Sequence, residues 1–405
     1  MEVRPGYKLT EVGVIPEGWE VAPLGKYATF RTGPFGSALH QADYISNGIP
    51  VINPMHIDDG TIVPSETMTV SAQTANTLSD FKLKSGEIVI GRRGDMGRCA
   101  VVCEKQAGWL CGTGSMIIRP AGANADYLQR ILSSRHVIAA IENASVGTTM
   151  VNLNQGTLSG LKIQFPPLSE QSAIATAFSD MDALLDGLDR LIAKKRAIKQ
   201  AAMQQLLTAQ TRLPGFSGEW AVKRLGEICE LSMGRTPPRL NLAYWGDGYV
   251  WLSIADMKGK VATESKEEIT PAAAFMLTVV PKGTLMMSFK LSIGRLGFAG
   301  CDLYTNEAIC AFNKLKEDAE YIYYALHRVD FSLYGKQAVK GYTLNKESLR
   351  SVEVSLPSAE EQTAIAAGLS DMDAEITALE TRRGKTRALK QAMMQELLTG
   401  RTRLL

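Results

Sequence analysis

The sequence is poor in the residues from which most metal and disulfide sites are built. It contains only four histidines and six cysteines among 405 residues. The cysteines form no CxxC pair and show no spacing with histidine that is typical of a zinc site. They are Cys99, Cys103, Cys111, Cys229, Cys301 and Cys310. The pattern predicts reduced thiols, as in proteins of the cytoplasm, and no bound metal.

Long hydrophobic runs are also missing. No segment approaches the ~20 consecutive apolar residues that a membrane-spanning helix needs. The first six residues, MEVRPG, lack the apolar stretch of a signal peptide. We therefore expect a cytoplasmic protein with no membrane partner.

The motifs of several enzyme classes are absent or incomplete. No GxxxxGK[ST] run is present, and GRRGDMG at 91–97 does not fit GxGxxG. The run NPMH at 53–56 lacks the aromatic residue of the Asn-Pro-Pro-aromatic motif of amino-methyltransferases. Asp256, Glu264 and Lys266 have the acid…Glu-x-Lys outline of metal-dependent nucleases, but this outline is short and common by chance. We expect no catalytic centre and no cofactor in this chain.

An excess of positive charge, which many nucleic-acid binders show, is missing as well. The formal net charge is only +2. Residues 1–165 carry 14 basic and 14 acidic side chains, and residues 214–356 carry 17 and 16. A surface for nucleic acid would therefore have to be a local basic patch that acidic residues elsewhere balance.

The strongest feature that is present is a long internal repeat. Residues 166–213 align with residues 357–404 at a constant offset of 191, and 26 of the 48 aligned positions are identical. The stretches before these segments match weakly but in the same order. Examples are Trp19 with Trp220, Gly86 with Gly283, Arg98 with Arg295 and Asn154 with Asn345. The repeat indicates two modules that do the same kind of work on different targets.

The well-matched segments are predicted to be long helices. Between Ser169 and Thr208 there is no proline and only one glycine, and Ser169 and Ser358 mark the helix starts. Apolar residues recur at steps of three and four, as in a coiled-coil seam. The seam residues expected are Met181, Leu184, Leu188, Leu191 and Ile198, and in the second copy Ile376, Leu379, Leu389, Met393 and Leu397.

Each helix of ~38 residues would be ~57 Å long. We expect the two helices to pack on each other as an antiparallel coiled coil, with a weaker middle in the second copy, where Arg382 and Arg383 replace Leu191 and Ile192. The alternative is that each helix packs on its own domain as an ordinary core helix.

The variable regions read as strand-rich mixed α/β domains. Short apolar runs such as EIVI at 87–90 and TLMM at 284–287 are bounded by glycine and turn residues. The predicted fold class is α+β, with two globular domains separated by two long helices. The predicted boundaries are 1–165, 166–213, 214–356 and 357–405.

Several motifs along the sequence resemble those of a known family. PPLSEQ at 166–171 and PSAEEQ at 357–362 are similar to the starts of the two helical regions of type I restriction–modification specificity subunits. Motifs similar to those of the family's target-recognition domains are GRTPP (234–238), VWL (250–252), SIGR (292–295) and GYTLN (341–345). Those similar to a second subfamily are GPFGS (33–37), GIPVI (48–52) and RRGDMGR (92–98). The resemblance covers nearly the whole chain.

The resemblance implies a non-catalytic subunit that recognises double-stranded DNA. Each globular domain would read one half-site of a bipartite, asymmetric target, and the helices would set the separation of the half-sites. Two methyltransferase subunits would dock on the chain, and two restriction subunits would join through them. S-adenosylmethionine, ATP and magnesium are expected on those partners and not on this chain.

Candidate DNA contacts in the first globular region follow from the chemistry of base and phosphate recognition. Arginine reads guanine with two hydrogen bonds, and lysine and backbone amides position phosphates. The glycines of GPFGS are expected to leave backbone amides free for phosphates, although the run can also be a structural loop capped by Phe35. Likewise, the arginines of RRGDMGR can instead form a solvated turn that pairs with Asp95. The candidates are Arg31, Ser37, His40, Arg92, Arg93 and Arg98.

In the second globular region the expected DNA contacts are again mostly cations, for which the alternative is an ordinary charged surface. They are Arg235, Arg239, Lys290, Arg295, Lys340 and Tyr342. Polar residues that recur in both helices are expected to face outward and dock the partner subunits, although capping and solvation can also explain them. These are Gln171, Asp180, Asp182, Gln200 and Gln204, with Gln362, Asp371, Asp373, Gln391 and Gln395.

Two other functions compete with DNA recognition. The first is a coiled-coil scaffold that binds proteins and has no DNA specificity; salt-dependent DNA binding separates it from a DNA reader. The second is a metal-dependent nuclease, which magnesium-dependent cleavage of plasmid DNA, abolished by Glu264→Ala, would reveal.

Overall fold

The computed structural model describes residues 3–35, 38–94, 97–144, 153–290, 292–338 and 341–404. The chain divides into two compact units. The first unit comprises Met1–Leu188 and Arg382–Leu405, and the second comprises Asp189–Thr381. Each unit therefore contains one globular region and a part of each of the two long helices. The division into recognition domains and spacers at the predicted boundaries stays a prediction.

The globular part of the first unit is built from short strands and helices. Its strands are β1 (Tyr7–Thr10), β2 (Gly13–Pro16), β3 (Glu20–Pro23), β4 (Ala28–Thr32), β5 (Tyr44–Ile45), β6 (Ile49–Ile52), β7 (Ile57–Asp58), β8 (Thr61–Ile62), β9 (Thr69–Val70), β10 (Ile88–Gly91), β11 (Cys99–Val101), β12 (Leu110–Cys111), β13 (Ser115–Pro120) and β14 (Lys162–Phe165). Its helices are α1 (Ala72–Thr77), α2 (Ala125–Leu132), α3 (Arg135–Ala144) and α4 (Gln155–Gly160). The first long helix, α5 (Leu168–Leu206), follows.

The second unit has a similar composition. Its strands are β15 (Ala221–Arg224), β16 (Glu230–Met233), β17 (Trp245–Leu252), β18 (Val261–Ala262), β19 (Glu267–Ile269), β20 (Leu285–Ser288), β21 (Leu296–Ala299), β22 (Tyr304–Thr305), β23 (Ile309–Asn313), β24 (Lys336–Ala338), β25 (Gly341–Thr343) and β26 (Glu353–Leu356). Its helices are α6 (Leu225–Ile228), α7 (Pro271–Ala274), α8 (Ala319–Leu326) and α9 (Lys346–Arg350). The second long helix, α10 (Ala359–Leu397), completes the fold.

The two units contain main sheets of similar topology. The main sheet of the first unit has the order β11-β10-β13-β4, and that of the second has β18-β21-β20-β23-β16. Neighbours in the shared four-strand series are antiparallel in both units. A smaller sheet in each unit contains one parallel pair, β6 with β12 or β17 with β22. The internal repeat, strong in sequence only along the helices, therefore extends to the globular regions, and the α+β prediction is confirmed.

Both cores place the long helices against the globular regions. In the first unit Phe178 of α5 and Leu397 of α10 are buried with Trp19 and Tyr127. In the second unit residues of α10 are buried with Tyr321 of α8, and partly buried residues of α5 pack against them. Burial of apolar surface stabilises each unit by about 25 cal/mol for each Å² removed from water. The helices are thus part of two cores as well as partners of each other.

The long helices run antiparallel within each unit. In the first unit Asp182 of α5 pairs with Lys390 of α10 at 2.5 Å. In the second unit Lys195 pairs with Glu375 at 2.7 Å and Lys199 with Asp373 at 2.5 Å. Residue numbers rise along one helix as they fall along the other, so the antiparallel pairing that the sequence predicts is confirmed. None of the described helices has both the length and the apolar character that crossing a bilayer requires.

The predicted seam and one predicted helix start were partly wrong. Leu188 is buried, but Leu184, Leu191 and Ile198 are exposed, and Leu185 and Ile192 are buried in their place. Both sets have steps of three and four residues, so the spacing alone does not fix which face is covered. In the second helix Ile376 and Leu397 are buried and Leu389 is exposed.

The C-terminal third of α10 buries two polar residues, Thr386 and Lys390. The start of α10 is as predicted, because the Ser358 hydroxyl accepts a hydrogen bond from the Glu361 amide. Ser169, by contrast, lies inside the first turn of α5, where the Pro167 carbonyl accepts from the Gln171 amide at 3.0 Å.

Candidate nucleic-acid interface

One end of the main sheet in the first unit collects several of the predicted DNA-contacting segments. Gly91, the last residue of β10, lies opposite Ser115, the first residue of β13. Met116 of β13 lies opposite Thr32, the last residue of β4. The loops after β4 and β10 and the segment before β13 therefore meet at the same end. We call residues 33–35, 92–94 and 112–114 the first recognition edge.

Gly33 at this edge is required by packing. Its amide donates to the Ser115 carbonyl at 3.0 Å, so this N–H is not free for phosphate, contrary to the expectation from sequence. A Cβ at Gly33 would lie 2.0 Å from the carbonyl oxygen of Gly112, which only glycine avoids. Gly36 and Ser37, the rest of that predicted contact, lie outside the described residues. Phe35 is exposed rather than capping a loop from inside.

The arginines of the β10–β11 turn differ in their surroundings. Arg92 is partly buried, and its Nε donates to the Leu153 carbonyl at 3.1 Å. Burial, and after it the charge of Arg93, lowers the pKa of the Arg92 guanidinium below its ordinary value. Arg93 is exposed and forms no hydrogen bond or ion pair with a described residue; Asp95, its predicted partner, lies outside that set. Arg93 is therefore the residue of this turn best placed to reach a ligand.

The other candidates of the first unit are more constrained. Arg31 forms an ion pair with Asp80 at 2.6 Å and lies over the Phe81 ring. His40 is exposed and precedes a short 3-10 turn, in which its amide donates to Asp43 at 2.6 Å. The Arg98 guanidinium donates to the Ile57 carbonyl at 3.3 Å.

The corresponding end of the second unit's main sheet has the same backbone arrangement. We call residues 234–236, 289–290 and 306–308 the second recognition edge. The Asn306 amide donates to the Leu252 carbonyl at 2.9 Å, as the Gly112 amide donates to Ile52 at 2.8 Å in the first unit. The backbone amide of Phe289 donates to the Ala308 carbonyl at 3.0 Å, as the backbone amide of Arg92 donates to the Gly114 carbonyl at 2.9 Å.

These matched hydrogen bonds align the two edges residue by residue. Gly234 corresponds to Gly33, and a Cβ on it would lie 2.1 Å from the Thr305 carbonyl oxygen. Lys290 corresponds to Arg93, and Glu307 corresponds to Thr113. The two edges thus share a scaffold and differ in the side chains that the scaffold carries.

Aromatic rings hold one arginine beside the second edge. The Arg239 guanidinium lies over the rings of Trp245 and Trp251, at 4.0 and 4.9 Å from the centroids, and pairs with Glu267 at 2.7 Å. The stacking and the ion pair with Glu267 together restrain the guanidinium in one orientation. Arg235 is also exposed, and its carbonyl accepts from the Trp251 indole N–H at 3.2 Å.

The remaining predicted cations of the second unit divide into described and undescribed residues. Lys290 is partly exposed, with its Nζ 5.5 Å from the centroid of the Phe289 ring. Arg295 is exposed and donates to the Ile254 carbonyl at 2.9 Å, and Arg98, at the equivalent position of the first unit, donates to the Ile57 carbonyl at 3.3 Å. Each arginine therefore contacts a backbone carbonyl at a short turn of its own unit, although the two carbonyls are not at equivalent positions. Lys340 lies outside the described residues, and so does the side chain of Tyr342.

One acidic residue at the second edge was not anticipated. Glu307 is exposed, and its carboxylate accepts a hydrogen bond from the Thr236 hydroxyl. That bond, together with the residue's own amide and with Lys290 and Arg239 nearby, holds the pKa of Glu307 below its ordinary value. The residue types expected at a DNA surface were cations, and the weak similarity between residues 112–115 and 306–309 provides no alignment that would draw attention to this position.

The nuclease-like outline has a structural explanation. The Asp256 carboxylate accepts from the amide of Ser253 at 2.8 Å and from that of Lys266 at 3.1 Å. Partial burial raises its pKa, but these bonds outweigh that effect and hold the pKa below its ordinary value. His56 occupies the equivalent turn position of the first unit and accepts from the Asn53 amide at 3.1 Å. In the part of the chain that the structure describes, no group of three acidic, histidine or cysteine residues is arranged to hold a metal ion.

The predicted docking residues include five whose side chains make contacts inside the chain, among them the exposed Gln204, which accepts from Arg328 at 3.0 Å. Gln171 and Gln362 are buried, so the expectation that they face outward was wrong. Gln171 accepts from the Asn124 amide at 2.9 Å, and Gln362 accepts from the Asp318 amide at 3.0 Å. Asp182 and Asp373 are half-buried in the ion pairs between the helices. The members of the set that are exposed or partly exposed are Asp180, Gln200, Gln204, Asp371, Gln391 and Gln395.

Comparison with known proteins assigns the family. The family described as the type I restriction modification DNA specificity domain matches this chain twice, at residues 16–197 and 217–389. A relative in Methanocaldococcus jannaschii, provisionally named as the type I restriction enzyme MjaX specificity subunit, is 27% identical over 98% of this chain and 97% of its own length. The MjaVIII specificity subunit of the same organism is 21% identical over 96% of this chain and 94% of its own length.

Solved structures show the same fold. The type I S subunit from M. genitalium aligns with a TM-score of 0.59 and 15% identity over 98% of both chains. The HsdS subunit of Thermoanaerobacter tengcongensis aligns with a TM-score of 0.51 and 22% identity over 96% of this chain and 98% of that one. With the family matched over most of its length, this chain belongs to the specificity subunits of type I restriction–modification systems, which are non-catalytic subunits that recognise the DNA target.

Proposed function

We propose that the chain reads a bipartite, asymmetric DNA target, with one half-site for each globular region. The observation that carries this proposal is the pair of recognition edges, which have the same backbone hydrogen bonds and different side chains. Arg93 stands where the other edge has Lys290, and Thr113 stands where the other has Glu307. Different donors and acceptors match different base pairs in the major groove. Two similar scaffolds with different edges are therefore expected to recognise two different half-site sequences, and not the two identical halves of a palindrome.

The helices are the part of the chain that would fix the gap between the two half-site sequences. Each has 39 residues, and their antiparallel ion pairs oppose sliding of one helix along the other. The base pairs between the half-sites would not be read, because the cations expected to contact DNA lie in the globular regions and not on the helices.

A methylation map tests the split target. The chain is produced together with its methyltransferase partner in a cell whose own DNA methylation has been removed, and the modified positions are sequenced. We expect two short and different half-site sequences that are separated by a fixed number of base pairs. One continuous palindromic target would contradict the proposal. The purified complex should also lose affinity for DNA as log salt rises, which a scaffold that binds only proteins would not do.

We further propose that two methyltransferase subunits dock on the chain and that two restriction subunits join through them. These partners would supply S-adenosylmethionine, ATP and magnesium chemistry. Exposed polar residues that recur at an offset of 191 support two like docking faces, for example Asp180 with Asp371 and Gln200 with Gln391.

The mass of the purified complex tests this stoichiometry. We expect two methyltransferase subunits for each chain, and weaker assembly when Asp180, Gln200, Asp371 and Gln391 are changed together to alanine. Gln155→Ala, at the exposed start of α4 and off both long helices, is the control. A complex that contains a single methyltransferase subunit would count against two equivalent faces.

A further inference from the structure

We propose that Glu307 is a specificity-determining residue that accepts a hydrogen bond from the exocyclic amino group of a cytosine or an adenine in the half-site of the second unit. This inference rests on the proposed function, because it assumes that the second recognition edge faces DNA. It adds an acidic reader to an interface for which the sequence indicated mostly cations.

The backbone holds Glu307 at a fixed position. It lies between Asn306, whose amide donates to the Leu252 carbonyl at 2.9 Å, and Ala308, whose carbonyl accepts from Phe289 at 3.0 Å. Both neighbours are thus held by the backbone of the sheet, and the exposed Glu307 side chain projects from a fixed point. A base reader needs such a rigid origin, because a hydrogen bond to a base edge weakens steeply when the donor and acceptor are displaced from their preferred geometry.

A hydrogen bond orients the Glu307 carboxylate. The Thr236 hydroxyl donates to Oε2 of Glu307, which fixes one oxygen. The second oxygen, Oε1, accepts no hydrogen bond from another residue that the structure describes. An ionised carboxylate is an acceptor only. Each carboxylate oxygen has more than one acceptor site, so the side chain can still pair with an N–H donor and cannot pair with the acceptor atoms of guanine or thymine.

The surroundings of Glu307 carry positive charge. A carboxylate beside a DNA backbone is repelled by phosphate, so Glu307 does not serve as a phosphate contact. Arg239 and Lys290 lie close enough to favour its ionised form, and they offset part of the repulsion. A negative side chain kept ionised among cations suits the reading of a base amino group in the major groove, the role in which glutamate and aspartate pair with cytosine N4.

The first recognition edge carries a different residue at the position equivalent to Glu307. Thr113 occupies the position that aligns with Glu307, between Gly112 and Gly114. A hydroxyl both donates and accepts, so it does not select an amino group as a carboxylate does. The same scaffold position thus carries different chemistry in the two units, as expected of a position that determines which base is read.

The experiment measures base preference in the complete complex. The chain with its methyltransferase partners is given duplexes in which each position of the mapped target is randomised in turn, and methylation rates are compared. With Glu307→Ala, discrimination at one position of the second half-site should fall about 10- to 100-fold. That position should be cytosine or adenine in the wild-type target, and the randomised library shows which of the two it is.

Two further variants refine the result. Glu307→Gln keeps an acceptor and adds a donor, so preference at the same position should shift toward adenine, which glutamine reads through N6 and N7. Glu230→Gln is the matched control, since Glu230 is an exposed carboxylate at the opposite end of the same sheet and pairs with Lys314 at 2.8 Å. The control should leave every position unchanged, and thermal unfolding should show that all variants are folded.

The outcomes separate this inference from the proposed function. If the wild-type complex shows no split target, the proposed function fails and this inference fails with it. If the target is split but Glu307→Ala leaves the preference at every position unchanged, or slows methylation of all sequences equally, then only the assignment of Glu307 is overturned.

Discussion

Replacing Arg212 with alanine should lower the free energy of unfolding by more than breaking any exposed ion pair of the described chain does. Arg212 donates through Nε and Nη2 to the two oxygens of Glu361, each at 2.6 Å. Glu361 is 1% exposed, so removal of the guanidinium leaves a buried carboxylate with no cation. Breaking a buried pair from one side is costly because the remaining charge stays out of water. Denaturant unfolding of the purified chain measures the loss.

The molecule supplies two comparisons for this prediction. Arg403 makes the equivalent contacts with the buried Glu170, at 2.9 and 2.7 Å, but Glu170 also accepts from the indole N–H of Trp19 at 2.9 Å. Arg403→Ala should therefore cost less than Arg212→Ala. Lys314→Ala, which breaks an exposed ion pair with Glu230, should cost less than about 1 kcal/mol. Equal small losses for all three variants would contradict the importance of burial.

A double change of Arg92 and Arg93 to alanine should weaken specific DNA binding by a few kcal/mol, at ~1–3 kcal/mol for each base pair that the arginines no longer read. Arg93 is exposed at the first recognition edge, so its replacement should leave the unfolding midpoint unchanged. Arg92 holds the Leu153 carbonyl, so part of its effect should come from a loosened loop. Binding of the complex to target and random duplexes at one salt concentration measures the effect.

The two single variants distinguish a reading role from a supporting role. Arg93→Ala should reduce selectivity without a change in stability, and Arg92→Ala should reduce both. If affinity and selectivity are the same for the double variant and the wild type, this turn does not belong to the DNA-reading surface.

The sequence predicted the large features of the fold because they repeat. Residues 166–213 and 357–404 resemble each other closely, and each segment contains a whole 39-residue helix. The phase of the seam was not predictable, because Leu184 and Leu185, like Leu191 and Ile192, are adjacent apolar pairs. Only the packing of the second helix decides which member of each pair is covered. The buried Lys390 illustrates this, since its partner Asp182 is distant in sequence.

The candidate interface was predictable by residue type and not by environment. The arginines of residues 92–98 do lie in a turn at the end of a main-sheet strand, but the sequence does not indicate that Arg92 and Arg98 donate to backbone carbonyls. Nor does it show that Gln171 and Gln362 are buried. Such contacts join residues 41 or more positions apart and depend on the tertiary fold. Glu307 escaped notice for the same reason, because its significance comes from Thr236, Lys290 and Arg239 around it.

We propose that each globular region reads its own half of the target. A methylation map of a complex in which Arg235, Arg239 and Lys290 of the second unit are changed together to alanine tests this division of work. We expect one of the two half-site sequences to become less defined while the other one and the number of intervening base pairs stay as in the wild type. A map in which both half-site sequences degrade together, or in which neither changes, would contradict the proposal.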